Sequence, residues 1–204
     1  MSKVETFTHL HLHTTYSMLD GVGKAKDYAE RCAELGMEAA AITDHGTMAG
    51  MVEFYTEMNK AGVKPILGCE MYCVEDMHQR GLPEKDKEGL TATEIREKNK
   101  LRLRSPHLLL LAETDIGLRN LFRLNYYANT QGYYGKPRID LDLLEKHSEG
   151  IIATTTCVIS NMARYLQAKQ TDKMTAFFDK MLGIFGEDNL FIELHPHDLD
   201  IQKD

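Results

Sequence analysis

Short apolar runs alternate with longer amphipathic stretches along the chain, and this alternation constrains the fold more than any other feature. Runs of apolar or β-branched residues predict buried strands at Ala39–Thr43, Leu108–Ala112 and Ile151–Thr155. Apolar residues at three- and four-residue spacing predict helices between them, as over Lys24–Leu35. Because repeated strand–helix units favour parallel strands with crossover helices, the expected class is α/β.

The remaining predicted elements follow from the same two periodicities. Extended segments are predicted at Phe7–His13, Val63–Gly68, Glu70–Val74 and Leu190–Leu194, and helices at Met48–Lys60, Ile116–Thr130, Ser160–Ala168 and Asp172–Phe185. The first extended segment alternates strictly, with leucines on one face and histidines on the other, as a half-buried strand does. Residues 75–106 are dense in charged side chains, which predicts a solvated insertion with a short helix near Thr91–Lys100 rather than a functional lid.

Composition excludes several classes of protein. Hydrophobic residues make up 43% of the 204 residues and charged residues 27%, as in globular domains rather than disordered chains. The N-terminus lacks the apolar core of a signal peptide, and the run Leu108–Ala112 is far shorter than the roughly 18 residues of a membrane span. We therefore expect a cytoplasmic protein without membrane contact. The net charge of −7 disfavours a domain that holds DNA by a basic surface of its own.

Potential metal ligands follow the predicted strands at the points where these strands end. They are His11 and His13, Asp44 and His45, Glu70, Cys157, and the group Glu193, His195 and His197. Chemistry in α/β folds gathers at the carboxyl ends of strands, and imidazole, carboxylate and thiolate bind zinc, manganese or iron. Singly, each residue has an ordinary explanation, such as a helix cap at Asp44 or a buried thiol at Cys157. Together they predict a metal site.

Two longer motifs resemble those of a known superfamily. Residues His9–Gly21 (HLHLHTTYSMLDG) and Ala41–Gly46 (AITDHG) are similar to the first two motifs of the polymerase and histidinol phosphatase (PHP) superfamily. Further blocks resemble its polymerase branch, the N-terminal PHP domains of bacterial replicative DNA polymerase III alpha subunits: Val52–Tyr55, Gly62–Gly68, Gly117–Leu121 and Gly135–Asp140. The resemblance runs through nearly the whole chain. It implies one PHP domain over residues 1–204, as the N-terminal fragment of a longer polymerase.

The resemblance also implies a fold, a cofactor and a reaction. The fold is a distorted (βα)7 TIM-like barrel, and active members hold up to three divalent ions, for which zinc or manganese suits this ligand set. Carried over motif by motif, the metal ligands are His11, His13, Asp20, His45, Glu70, His107 and Cys157. The implied reaction is 3′→5′ proofreading hydrolysis of DNA. The implied partners are the 3′ end of DNA, the other polymerase domains and further replisome subunits.

Two departures from the family pattern limit this expectation. The last family motif, roughly Asn-Asp-x-His, has no match between Val158 and Asp204. We therefore expect a barrel truncated before its last strand–helix unit, with weak or absent nuclease activity in the isolated chain. The catalytic carboxylates of the polymerase reaction also lie further downstream in the family.

Two other functions stay open at this stage. The chain could be a non-catalytic scaffold that stabilises the polymerase or docks a proofreading subunit. It could also be a free-standing phosphomonoesterase resembling histidinol phosphatase, although the blocks at Gly62–Gly68 and Gly135–Asp140 disfavour this reading. Metal content separates the first alternative from a nuclease, because a nuclease needs neighbouring occupied metal positions.

Several residues have no settled role in the sequence. His107 begins its predicted strand, so a purely parallel barrel places it at the rim opposite the other ligands. His195 and His197 fit the strand-end argument without a family role, and we interpret them as supporting or surface histidines. Lys136 and Arg138 either contact a phosphate backbone or are solvated or ion-paired in a Gly-Lys-Pro-Arg turn.

Overall fold

The structure of the chain is a computed structural model that describes residues 7–18, 20–102 and 105–195; His197 lies outside these ranges. The strands within them are β1 (Ala39–Ile42), β2 (Lys64–Cys73), β3 (His107–Ala112), β4 (Arg138–Ile139), β5 (Ile151–Thr154) and β6 (Leu190–Phe191). The α-helices are α1 (Ala25–Glu34), α2 (Met51–Lys60), α3 (Ala92–Arg102), α4 (Asp115–Thr130), α5 (Leu141–Lys146), α6 (Asn161–Gln167) and α7 (Thr171–Phe185). A 3-10 turn at Glu84–Asp86 precedes α3. The fold is α/β, as predicted.

The strands form one mixed sheet in the order β1-β2-β3-β5-β6, and β4 pairs with the end of β2. The pairs β1–β2, β2–β4 and β5–β6 are parallel, whereas β3 runs antiparallel to both β2 and β5. The prediction of parallel strands throughout is therefore wrong for β3. The physical reason is the connection at 75–106, which brings the chain back to the rim where β2 ends. His107 pairs with Tyr72 in the ladder and so begins its strand at the rim of the site.

The N-terminal histidine segment is extended but is not the regular strand that its alternation predicts. It makes a single parallel bridge, between His9 and Ala40, and the backbone N–H of Ala41 donates to the carbonyl of His9 at 2.7 Å. Beyond this point a side chain adds to the backbone contact, because the N–H of Leu12 donates to Thr43 Oγ1 at 2.8 Å while the N–H of Thr43 donates to the carbonyl of Leu12 at 2.9 Å. The segment therefore stays beside β1, but its register shifts by one residue between His9 and Leu12, which breaks the regular strand.

The two edges of the sheet meet through side chains. The N-terminal segment lies along the free edge of β1, and the residues after β6 lie at the other edge. His11 Nδ1 donates to Glu193 Oε1 at 2.6 Å, and the rings of His11 and His195 are 5.4 Å apart. The sheet thus curls into a TIM-like barrel, in agreement with the fold predicted from the sequence.

Helices pack against the outside of the sheet and bury its apolar face. On α2, Phe54 and Met58 are fully buried beside β1, and on α4 Leu121 and Leu124 are fully buried in the larger core cluster. Burial of each such side chain stabilises the fold by roughly 1.5–3 kcal/mol. This packing fixes the strands and, with them, the rim that carries the polar residues. No described helix has the length and apolar character that crossing a lipid bilayer requires.

Candidate metal centre

The carboxylate of Glu70 lies at the centre of a ring of four imidazoles. Glu70 is buried on β2, with 1% of its surface exposed. Its Oε2 atom is 3.3 Å from His11 Nε2, 3.2 Å from His13 Nε2 and 2.9 Å from His45 Nδ1. Its Oε1 atom is 3.1 Å from His107 Nδ1. The N-terminal segment, the turn after β1 and the first residue of β3 therefore converge on one side chain of β2.

The two remaining predicted ligands lie at opposite sides of this ring. Asp20 Oδ2 is 3.2 Å from His13 Nδ1 and 3.3 Å from His45 Nε2, and its side chain is half exposed. Cys157 Sγ is 3.9 Å from both Glu70 Oε1 and His107 Nδ1. The structure thus brings all seven sequence-predicted ligands into one region. Among them, Cys157 has the longest separation from its neighbours, 3.9 Å.

Three overlapping groups of these residues have ligand atoms close enough to share an ion. They are His11–His13–Glu70, His13–Asp20–His45 and His45–Glu70–His107, and the ligand atoms of each group lie within 4.8 Å of one another. Glu70 belongs to two of the groups, so it has the position of a bridging carboxylate. Nitrogen and oxygen donors of this kind suit zinc and manganese.

Unsatisfied polar atoms give a test of whether these residues fit a metal ion. His45 Nδ1 and Glu70 Oε2 are both buried and make no hydrogen bond of acceptable geometry, although they are 2.9 Å apart. A buried polar atom without a partner costs about 1–3 kcal/mol, so folded proteins rarely leave one unpaired. A cation that accepts both lone pairs removes this cost. The donor set therefore fits a divalent metal.

Charge distribution at the site keeps the carboxylates ionised. Burial by itself raises the pKa of Glu70, but the close imidazole nitrogens, that of His107 most strongly, outweigh it and hold the pKa far below its ordinary value. Burial likewise opposes protonation of His11, yet its bonds to Glu193 and Glu70 raise the pKa of His11 to about 9. The same bond, with those from Thr154 and His195, outweighs burial at Glu193 and lowers its pKa to about 2. Glu70 and Glu193 are thus ionised, whereas His11 carries a proton that a bound metal must displace.

Asp44, one of the strand-end residues of the sequence, holds the histidine segment in place. It is 1% exposed and accepts hydrogen bonds from Thr14 N at 2.6 Å, Thr14 Oγ1 at 2.8 Å and Ser17 Oγ at 3.1 Å. Ser17 Oγ in turn accepts from the backbone N–H of His45 at 2.9 Å and lies 3.1 Å from His13 Nδ1. Asp44 therefore ties both histidine motifs together.

Two further residues at the site, Thr156 and Glu193, lie outside the seven ligands that the family resemblance implies. Thr156 Oγ1 donates to Glu70 Oε1 at 2.6 Å, and Thr156 adopts a φ of 51°, which is rare for a β-branched residue. Glu193 bonds to His11 as described above. The signal for Glu193 was its place after the last predicted strand, whereas nothing in the sequence marks Thr156.

The side chain of Arg138 is buried and bonded to the backbone of neighbouring segments. It is 5% exposed, and its guanidinium donates to the carbonyls of Gly132 at 3.0 Å, Met77 at 2.9 Å and Gln79 at 3.0 Å. Both sequence alternatives are wrong for Arg138, because the side chain is buried and its guanidinium donates to backbone carbonyls rather than to a phosphate, to solvent or to a carboxylate. Arg138 fixes the start of the 75–106 segment to β4.

Lys136, in contrast, lies beside the ring of imidazoles. Its Nζ atom is 4.2 Å from the centre of the Tyr72 ring, in a cation–π contact. The Tyr72 ring stacks on His45 with centroids 5.9 Å apart and meets the edge of His107 at 5.2 Å. Burial lowers the pKa of Lys136, and the charge of Glu70 acts in the opposite direction. A positive charge is therefore held next to the candidate metal centre.

A groove of about 440 Å³ opens onto the other side of the centre. Its lining includes His11, His13 and Asp20 together with Val22, Tyr28 and Arg31. The hydroxyl of Tyr28 donates to the carbonyl of His13 at 3.0 Å, which fixes the groove wall to the ligand segment. A substrate can therefore approach the centre along a surface that is partly apolar and partly charged.

The fold and this centre define a class: a TIM-like α/β domain with a cluster of metal-ligating side chains at one rim. A family model of the PHP domain matches residues 9–197, and the chain belongs to the PHP domain family. This agrees with the superfamily that the sequence motifs resemble.

Known proteins similar to the chain include alpha subunits of DNA polymerase III. It is 37% identical over 212 residues to DNA polymerase III subunit alpha of Saccharopolyspora erythraea, covering 98% of this chain and 17% of that protein. It is 36% identical over 197 residues to the Aquifex aeolicus subunit, covering 97% of this chain and 16% of that protein. The chain thus spans 16–17% of the length of these relatives.

A solved structure supports the fold. An amidohydrolase from Chromobacterium violaceum superposes with a TM-score of 0.52 at 14% identity, covering 96% of this chain and 80% of that protein. At this level of identity the likeness concerns the arrangement of strands and helices alone.

Proposed function

We propose that the chain is a metal-dependent phosphoesterase domain that removes nucleotides from the 3′ end of DNA, within a DNA polymerase III alpha subunit. The observation that carries this proposal is the buried carboxylate of Glu70 among four imidazoles, with Glu70 Oε2 and His45 Nδ1 left unpaired. Similarity to polymerase III alpha subunits supports DNA as the substrate. The presence of all seven ligands that the matched motifs imply favours catalysis over a scaffold role.

The residues that hold the ions are the three groups around Glu70, with Cys157 beside the group that contains His107. We propose up to three divalent ions, zinc or manganese. When bound, such ions activate water for attack and neutralise charge on a phosphoryl group.

The protein side chains supply positioning. Glu70, fixed by Thr156 Oγ1 and by four imidazoles, sets the spacing of the donor groups. Lys136 carries a charge at the rim that suits a non-bridging phosphate oxygen. The groove along Tyr28 and Val22 accommodates the sugar and base of a terminal nucleotide. Because the chain has a net charge of −7, the other polymerase domains are proposed to hold the duplex.

We further infer that residues 1–204 act as the N-terminal PHP domain of such a longer, cytoplasmic polymerase. The coverage of 16–17% of the relatives supports this domain organisation. Expression of the longer protein with and without Glu70→Gln tests it: nucleotide incorporation should persist while 3′→5′ removal falls. Equal loss of both activities would count against a separate phosphoesterase site.

A hydrolysis assay tests the proposed chemistry. The chain is stripped with a chelator, reloaded with zinc or manganese, and assayed on bis(p-nitrophenyl) phosphate and on a 3′-labelled single-stranded oligonucleotide. The isolated chain should cleave weakly or not at all, because the last family motif is missing from it. Cleavage by the longer polymerase, assayed in the same way, should depend on the ion and should fall in His13→Ala but not in His78→Ala, a matched histidine exposed in the 75–106 segment. Ion binding without cleavage, in the chain and in the longer polymerase alike, would favour the scaffold.

A further inference from the structure

Glu193 lies just after β6 and connects three parts of the barrel by hydrogen bonds. Its Oε1 atom accepts from His11 Nδ1 at 2.6 Å and from His195 Nε2 at 2.5 Å. Its Oε2 atom accepts from Thr154 Oγ1 at 2.5 Å, and its backbone N–H donates to Thr155 Oγ1 at 3.0 Å. Both carboxylate oxygens are therefore engaged as acceptors, and the side chain is held from β5 while it binds the histidine segment.

The two ring nitrogens of His11 face different surroundings. Nδ1 faces Glu193, whereas Nε2 is 3.0 Å from His13 Nε2 and 3.3 Å from Glu70 Oε2. A neutral imidazole carries a proton on one nitrogen and a lone pair on the other. Because Nδ1 is the donor to Glu193, the lone pair of the neutral ring lies on Nε2. That lone pair is directed at the group His11–His13–Glu70.

We infer that Glu193 is a positioning residue, which fixes the tautomer and the ring orientation of His11 for metal binding through Nε2. The inference rests on the proposed function, since it requires a cation at the His11–His13–Glu70 group. Carboxylates that accept the second N–H of a metal-bound histidine raise its basicity, and their loss lowers metal affinity by about 10- to 100-fold.

A competing role for Glu193 is direct ligation. Glu193, His11 and His195 also have ligand atoms within 4.8 Å of one another. Direct ligation, however, requires Glu193 Oε1 to give up its bond to His11, and the 2.6 Å separation of Glu193 Oε1 and His11 Nδ1 is that of a short, charge-assisted hydrogen bond. The geometry therefore favours the positioning role, and the experiment below separates the two.

The test compares zinc binding by the full chain and by two variants. Glu193→Met removes both acceptor oxygens at similar length, and Glu193→Gln keeps a carbonyl acceptor but removes the charge. Glu187→Met, at an exposed glutamate before β6, is the matched control. Titration against a chromophoric chelator should show affinity about 10- to 100-fold weaker in Glu193→Met, less loss in Glu193→Gln and none in the control. The number of ions bound at saturation should stay the same.

A spectroscopic readout distinguishes positioning from a merely structural contribution. In the zinc-loaded protein, nitrogen-15 spectra of the histidine rings should show His11 with a protonated, slowly exchanging Nδ1. The Nδ1 proton should exchange faster in Glu193→Met, while His13 keeps its pattern. If thermal melting shows that Glu193→Met is not folded, zinc affinity is compared in Glu193→Gln and Thr154→Val instead. Thr154→Val removes the bond to Glu193 Oε2 together with the bond that Thr154 Oγ1 accepts from the backbone N–H of Thr156, and it should weaken zinc binding several-fold.

Three results would overturn the inference in different ways. Unchanged zinc affinity and an unchanged His11 spectrum in Glu193→Met would make Glu193 a structural residue. Loss of one ion at saturation, with the affinity of the others intact, would make it a ligand. Absence of zinc and manganese binding in the unaltered chain would overturn the proposed function as well.

Discussion

Replacement of Asp44 by asparagine tests how strongly the fold holds the two histidine motifs together. Asp44 accepts three hydrogen bonds in a buried position, two from Thr14 and one from Ser17. Asparagine has nearly the same shape, but one of its atoms is a donor and its charge is lost. If its oxygen faces Thr14 N, its amide group must donate to Thr14 Oγ1, whose own proton then needs another acceptor.

The expected cost follows from the number and type of these bonds. Hydrogen bonds to a charged group are worth about 1.5–3 kcal/mol, against about 0.5–1.5 kcal/mol for neutral ones. With three bonds weakened by roughly 1 kcal/mol each, Asp44→Asn should lower the free energy of unfolding by about 3 kcal/mol. Asp44→Ala should cost more, because it leaves the donors of Thr14 and Ser17 without an acceptor.

The assay is equilibrium unfolding of metal-free protein in guanidinium chloride, with zinc titration of the same samples. Asp188→Asn, at an exposed position before β6, is the control and should change stability by no more than about 0.5 kcal/mol. Asp44→Asn should also weaken zinc binding, because Ser17 links Asp44 to His13 and His45. A loss below about 1 kcal/mol together with unchanged zinc affinity would refute the reasoning.

Three further predictions address the centre and its surroundings. In the metal-free protein the pKa of His11 is raised to about 9, so zinc must displace a proton below that pH, and zinc affinity should rise with pH up to about 9 and then level off. Zinc affinity should increase less steeply with pH in His11→Asn. An increase as steep as in the unaltered protein would show that the displaced proton does not come from His11. Lys136→Ala should lower kcat/KM for a phosphodiester about tenfold, mainly through KM. Lys146→Ala, at an exposed lysine, should leave kcat/KM unchanged. Equal effects of the two variants on kcat/KM would show that Lys136 does not contact the substrate. Phe54→Ala should cost about 3–5 kcal/mol by denaturant unfolding, since Phe54 is fully buried on α2. Val52→Ala on the exposed side of α2 should cost under about 0.5 kcal/mol, and similar losses would contradict the described packing.

Much of the site could be predicted because it depends on local order along the chain. Apolar runs mark where β1 and β2 lie, and the polar residues within or just after them, Glu70 and His45, lie at the rim whatever the distant pairing. The spacing of His11 and His13 likewise places both imidazoles on one side of an extended segment. Predicting these features requires only the periodicity of the sequence and the geometry of strand ends.

The remaining features depend on contacts between distant segments, which periodicity does not encode. The position of His107 follows from the antiparallel direction of β3, and only the pairing with β2 decides that direction. The bond of Glu193 to His11 joins residues 182 positions apart and exists because the sheet curls. In the irregular N-terminal segment, the side chains of Thr43 and Asp44 accept hydrogen bonds from the backbone N–H groups of Leu12 and Thr14. None of these three features can be predicted without the three-dimensional arrangement of the distant segments.

Metal content is the most direct test of the central claim, that imidazoles and carboxylates from distant segments bind a cluster of cations. Elemental analysis is made on protein purified without chelator and without a polyhistidine tag, in parallel with His13→Ala. We predict more than one divalent ion per chain, and a lower content in His13→Ala. Protein that folds but binds no zinc or manganese, or a metal content unchanged by His13→Ala, would contradict the account.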